Sequence, residues 1–147
     1  MDNGEKRFRQ ICIKDKTAYI RAEGGKVGYW QNSHYHKTIR EIYIVQKGSI
    51  LLAQYLNGKV KINKIEQDGI FNVRPNVPHN VYMYPNTVLH TVKYGEVEEY
   101  DWQEFKRLDN LLKKKTIKEL KKYIITQMLS YSLYITHIIF KAFLHIV

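Results

Sequence analysis

Two histidines two residues apart, a carboxylate five further on and a third histidine far downstream are the side chains of this chain with the most chemistry to offer. In the stretch from Gly28 to Glu41, GYWQNSHYHKTIRE, the spacing of His34 and His36 matches the two-residue period of a β-strand. Both imidazoles then point to one face. A turn and a neighbouring strand that carried Glu41 and His79 to that face would gather three imidazoles and a carboxylate. Such a nitrogen and oxygen set suits one divalent transition metal with one or two positions open to a ligand. Metal binding is the leading expectation. The plain alternative is that His and Glu alternate on a solvated strand.

The elements that must position these groups are short strands. Runs at residues 11–14, 18–22, 27–36, 40–45, 50–56, 60–65, 70–73, 80–84 and 88–94 carry β-branched and aromatic residues with turn residues between them. Asn57-Gly58 is a type I′ hairpin signal, and Glu23-Gly24-Gly25, Lys47-Gly48, Asp68-Gly69 and Tyr84-Pro85-Asn86 mark further turns. This many short strands with tight turns predicts an all-β sandwich or small barrel over 11–95 and not an α/β fold. After Gly95 an acidic link leads into residues 102–112, where Trp102, Phe105, Leu108, Leu111 and Leu112 recur at helical spacing. Residues 96–147 are therefore expected to form a helical C-terminal extension.

The chain has 147 residues, enough for one domain with a real core. Cys12 stands alone, so no disulfide framework exists and a reducing, cytoplasmic setting is expected. The N-terminal residues lack the apolar core of a secretory signal. The formal charge of +10 is unevenly spread: residues 1–104 carry +3 and residues 105–147 carry +7. The basicity belongs mostly to the C-terminal segment, which argues against a nucleic-acid-binding body.

The metal-ligand pattern resembles the first motif of the cupins, G-x5-H-x-H-x(3,4)-E-x6-G. Gly28, His34, His36, Glu41 and Gly48 meet every spacing. The second motif, G-x5-P-x-G-x2-H-x3-N, is met in part by the stretch from Asp68 to His79, DGIFNVRPNVPH. Gly69 follows Asp68 instead of preceding it, Asn76 takes the usual glycine place and Met83 that of the terminal asparagine. The resemblance implies a cupin jelly roll, a double-stranded β-helix barrel, over roughly residues 15–95. It also implies that His34, His36, Glu41 and His79 bind a metal such as Fe, Mn, Zn or Ni. A cupin that folds without metal is the alternative. Two looser fragments, residues 88–95 and Asp101-Trp102, resemble the end of small stand-alone bacterial cupins, many of them encoded among surface-polysaccharide genes.

Strand parity nominates the rest of the pocket. Trp30 and Asn32 share the face of His34 and His36, Tyr43 that of Glu41, and Val81 and Met83 that of His79. An aromatic wall beside amide and phenol groups suits a small polar ligand such as a sugar ring, a sugar phosphate or an organic acid. The competing reading makes Trp30, Tyr43 and Met83 core residues. Arg40, Arg74 and Lys93 are the anion hooks available: Arg40 points away by parity, and Arg74 precedes His79 in the turn. His90 is either an inward acid/base group or a surface histidine.

Three readings compete for the tail, where ten mostly basic residues (113–122) precede an apolar run (123–147). It is a membrane anchor, an interfacial or homodimer-forming helix, or a helix folded onto its own barrel. Helix is expected over 115–145. Three functional classes stay open: a metal-dependent sugar isomerase or epimerase, an iron-dependent dioxygenase, and a non-catalytic module that binds or senses a small ligand. With four groups spent on metal, no obvious general base remains.

Overall fold

Alternation of buried and exposed side chains builds the strands that carry the site. The computed structural model describes residues 4–12, 17–96, 101–120 and 124. Their strands are β1 (Lys6–Cys12), β2 (Thr17–Glu23), β3 (Tyr29–Trp30), β4 (His34–His36), β5 (Arg40–Lys47), β6 (Ser49–Leu56), β7 (Lys59–Glu66), β8 (Ile70–Val73), β9 (His79–Met83), β10 (Val88–Tyr94) and β11 (Trp102–Glu104), followed by helix α1 (Lys106–Leu112). In β5 the residues Glu41, Tyr43 and Val45 are buried while Arg40 and Gln46 are exposed. One face of that strand therefore serves both the core and the site.

The strands form two antiparallel sheets, ordered β1-β2-β10-β5-β8 and β11-β4-β9-β6-β7, with β3 also paired to β9. This is a jelly roll. Ala22, Tyr43, Val45, Val73 and Leu89 from the first sheet meet Ile50, Leu52, Ile65, Val81 and Met83 from the second to make the core. The β6–β7 hairpin turns through Asn57 (φ 49°) and Gly58 (φ 79°), both left-handed as a type I′ turn requires. Gly48 joins β5 to β6 at φ 79°, where a Cβ would lie 2.7 Å from the Thr87 hydroxyl. Asn76, in the place where the resemblance would put glycine, adopts φ 59°. Its amide nitrogen donates to the His36 carbonyl at 2.7 Å, tying the turn before His79 to the strand that bears the histidine pair.

Three elements differ from their sequence-based expectation. The first strand begins at Lys6, ahead of Ile11, and the barrel's sheets also take in β11, beyond Gly95. The run 27–36 is not one strand: residues 31–33 separate β3 from β4. Residues 102–104 are strand instead of helix, because β4 offers a free edge and β11 pairs there, with Trp102 opposite His36 and Glu104 opposite His34. Helical spacing takes hold only from α1, where Leu108 and Leu112 are buried. That helix is held on β9 by Asp109, whose Oδ1 accepts from Ser33 N (3.0 Å), Ser33 Oγ (2.6 Å) and Asn80 Nδ2 (2.9 Å).

The chain divides into two units, Met1–Lys114 and Lys115–Val147. In the second, residues 117–120 are helical. Thr116 and Glu119 cap that turn reciprocally: Thr116 N donates to the Glu119 carboxylate at 2.7 Å and Glu119 N to Thr116 Oγ1 at 3.4 Å. Among the described residues no helix is long and apolar enough to cross a membrane. Apart from Ile124, the apolar run 123–147 lies outside the described residues, and with it most of the expected helix over 115–145.

Candidate metal centre and its cavity

The strands bring His34, His36 and Glu41 together so that one ligand atom from each lies within 4.8 Å of the others. His34 faces His79 across the β4–β9 pair. The Glu41 carboxylate lies among all three imidazoles, its oxygens 3.8 Å from His34 Nε2, 3.7 Å from His36 Nε2 and 2.7 Å from His79 Nε2. Glu41 is 2 % exposed and His79 1 %, so the carboxylate has almost no water to solvate it.

Each imidazole has its other nitrogen engaged. Nδ1–H of His34 donates to the Asn32 carbonyl (2.9 Å), that of His79 to the Val77 carbonyl (2.9 Å) and that of His36 to the Asp101 carboxylate. Oxygen acceptors at Nδ1 place a proton there and turn Nε2 toward the carboxylate, where a neutral ring presents a lone pair. Three Nε2 atoms thus face one carboxylate. Oriented imidazoles backed by carbonyl or carboxylate partners are the arrangement found around metal ligands. His34 Nε2 is moreover buried with no hydrogen-bond partner among the described residues, and an orphaned acceptor of this kind is costly unless a cation or proton meets it. His79 Nε2 and Glu41 Oε2 lie at 2.7 Å, a contact that needs a proton or a metal cation between them. The donor set therefore fits a divalent metal.

The electrostatics keep the central carboxylate ionised. Burial raises the Glu41 pKa, but His34, His79 and the Lys93 ammonium outweigh it and hold the carboxyl well below its usual range. Burial and the Lys93 charge lower His36, against the pull of Glu41 and Asp101. Tyr43 donates toward Glu41 Oε2 (3.3 Å) and lies 3.1 Å from His79 Nε2. Burial and the Glu41 charge push its phenol well above the usual value, so it stays protonated.

Beside the cluster lies a cavity of about 470 Å³, bounded by His34, Glu41 and Tyr43 at the metal end. Trp30, Asn32 and Tyr43, nominated by parity, all line it. Gln31 lines it as well, because the break between β3 and β4 ends strict alternation. Met83 and Arg74 are elsewhere. Met83 is fully buried in the core, its sulfur accepting from Tyr29 Oη at 3.4 Å; parity gives the face of a strand but not how far along it the cavity extends. Arg74 is exposed in the turn before β9. His90 lies on the outer face of its sheet, bonded to Tyr19 Oη (2.6 Å) and Gln46 Oε1 (2.7 Å).

Sequence reading missed several contributors. Arg7 and Arg9 of β1 line the cavity. Trp102 stacks on His34 at 5.7 Å between ring centroids and lines the cavity too. Asp101 braces His36 and also accepts from Thr38 N at 2.8 Å and Thr38 Oγ1 at 2.9 Å. Their signal was weak: an Asp-Trp pair after an acidic link, and alternate arginines on an N-terminal strand.

No protein-family model matches this chain, and no curated protein matches it. Solved structures do. An oxalate decarboxylase variant from Bacillus subtilis superposes with a TM-score of 0.58 at 13% identity, over 71% of this chain and 29% of its own. An oxalate oxidase in complex with the substrate analogue glycolate gives 0.54 at 15%, over 65% and 53%. KdgF from Halomonas sp. gives 0.52 at 14%, over 65% and 82%. All three have the cupin fold. This chain has the cupin fold. The likeness is one of backbone, and the chain spans under a third of the decarboxylase and about half of the oxidase. In this cupin fold the His/Glu cluster lies between the two sheets, reached by β4, β5 and β9 and braced from outside by Asp101.

Proposed function

We propose that this chain binds one divalent transition metal through His34, His36, Glu41 and His79, and beside it a small polar ligand such as a sugar or sugar phosphate. The observation that carries the reading is the set of three imidazoles with Nδ1 engaged and Nε2 turned to one buried carboxylate, His34 Nε2 having no hydrogen-bond partner among the described residues. A bound metal would supply Lewis acidity, polarising a carbonyl or hydroxyl oxygen of the ligand. The chain's own residues do the rest. Trp30 and Trp102 offer aromatic faces for a sugar ring, Gln31 and Asn32 offer amides for hydroxyl groups, and Arg9 brings positive charge to a cavity wall where Arg7 is paired with Glu5. The similarity in fold to KdgF, oxalate decarboxylase and oxalate oxidase is compatible with a small polar ligand.

A non-catalytic binding module is the second reading, and Tyr43 favours it. Its phenol is held protonated between Glu41 and His79, and His90 faces outward, so neither of these two groups serves as a general base in the cavity. Metal analysis of the full chain purified without chelator tests the metal reading, and a thermal-shift screen of sugar phosphates on the metal-loaded protein tests the ligand. One equivalent of metal and a stabilising ligand are expected. A chain that retains no metal and gains no thermal stability from millimolar divalent ions would overturn the proposal.

A further inference from the structure

Lys93 stands where a metal would have to go. It lies on β10 directly opposite Glu41 of β5. Its ammonium donates to Glu41 Oε1 at 2.8 Å and to His36 Nε2 at 2.9 Å. Those two acceptors are 3.7 Å apart, and the ammonium bridges them. A metal ion with bonds of about 2.0–2.2 Å to a histidine nitrogen and a carboxylate oxygen would bridge the same gap. Two cations cannot share it: both need the same lone pairs, and their mutual repulsion in a poorly solvated site is strong. The lysine has somewhere else to go. Its neighbour on the other side, across the β10–β2 pair, is Ala18. Ala18 lines the cavity and is too small to fill it, and Lys93 itself already borders that space.

We propose that Lys93 is a built-in counter-cation of the His/Glu cluster: it neutralises Glu41 when no metal is bound, and a metal must displace its ammonium into the cavity over Ala18. This inference rests on the metal reading above and adds two consequences to it. Metal affinity is set below what the four ligands alone would give, because each binding event breaks two charge-assisted hydrogen bonds. Metal loading also delivers a mobile ammonium to the ligand cavity. There it joins Arg9 and the Arg7–Glu5 pair, whose ion pair is 2.7 Å long, so the loaded cavity gains net positive charge and favours a ligand with a carboxylate or phosphate group.

The test titrates chelator-stripped, full-length protein with cobalt(II), followed by calorimetry and by the visible absorption of the bound ion. Lys93→Met should bind cobalt(II) more tightly than the wild type by about tenfold or more, which corresponds to about 1.4 kcal/mol. Lys93→Arg keeps a cation at the position and should bind no more tightly than the wild type. Equal affinity in Lys93→Met and wild type, or an equal gain in Lys93→Arg, would overturn the role of Lys93 while leaving the metal site standing. Cobalt(II) binding by none of the three proteins would overturn both. A structure of the cobalt-loaded wild type gives a readout that needs no variant. The ammonium should have left Glu41 Oε1 for the cavity, and an ammonium still within hydrogen-bond distance of that oxygen sinks the proposal.

Discussion

Asp101 decides which nitrogen of His36 carries the proton, and so which one is left for a cation. Its carboxylate accepts from His36 Nδ1, from the backbone and hydroxyl of Thr38 and, at 3.3 Å, from Ile39 N. Burial raises its pKa, but Thr38 and His36 hold it below the usual carboxylate range. Asp101→Asn replaces one acceptor oxygen with a donor facing Nδ1–H. Metal affinity should fall by about 10- to 100-fold, as is typical when the partner of a metal-ligating histidine is lost. Calorimetric titration checks this, with circular dichroism to verify that the sheets persist. Loss of a ligand is more severe. His36→Ala and His79→Ala should each abolish stoichiometric metal retention, read by elemental analysis, while the β-sheet spectrum stays that of the wild type, because the apolar core between the sheets does not include either side chain.

At the scale of elements, α1 and the β5–β6 link hold the frame around the site. Asp109 is the one side chain of α1 that ties the helix to both Ser33 and Asn80. Ser33 directly precedes His34, so the tie also steadies β4. Asp109→Ala takes the acceptor from Ser33 N and Ser33 Oγ, while Asn80 Nδ2 keeps Gln31 O and Ser33 Oγ, at a cost of about 2 kcal/mol. The melting temperature should fall by about 5 °C or more, read by calorimetry. Gly48→Ala forces a side chain into left-handed backbone and onto Thr87. A loss of about 1–3 kcal/mol is expected from denaturant unfolding, with cobalt(II) binding preserved because Gly48 lies at the far end of β5 from Glu41.

For the whole molecule, the division at Lys114 separates a jelly roll with its own core and site from the basic and apolar segment that follows. Every residue placed here in the metal centre and its cavity belongs to the first unit. A chain ending at Lys114 should therefore fold cooperatively and bind cobalt(II) with wild-type stoichiometry. Thermal circular dichroism and titration of that variant check this. Failure to fold would show that residues 115–147 supply part of the core. Comparing its mass in solution and its partitioning into vesicles with those of the full chain then assigns the apolar run to self-association or to lipid.

What the sequence determined by itself was local. The H-x-H pair and Gly48 were legible because a strand's two-residue period and a turn's demand for left-handed backbone are written in consecutive residues, while Glu41 and His79 were joined to them by the resemblance to the cupin motifs. The Asn57-Gly58 turn and the alternation in β5 are of the same kind. What only tertiary structure decided depends on register between distant strands. Trp102 became a strand residue because β4 had an open edge to fill, overriding its helical spacing with the leucines behind it. Met83 went to the core and Arg74 to solvent, since parity states a face but not a depth. Asp101 reached His36 across 65 positions, and Lys93 met Glu41 across 52, by a pairing that no local pattern in either segment encodes. A cation facing a carboxylate is a fact of register, and register is settled only when the hydrophobic faces of both sheets close on one another.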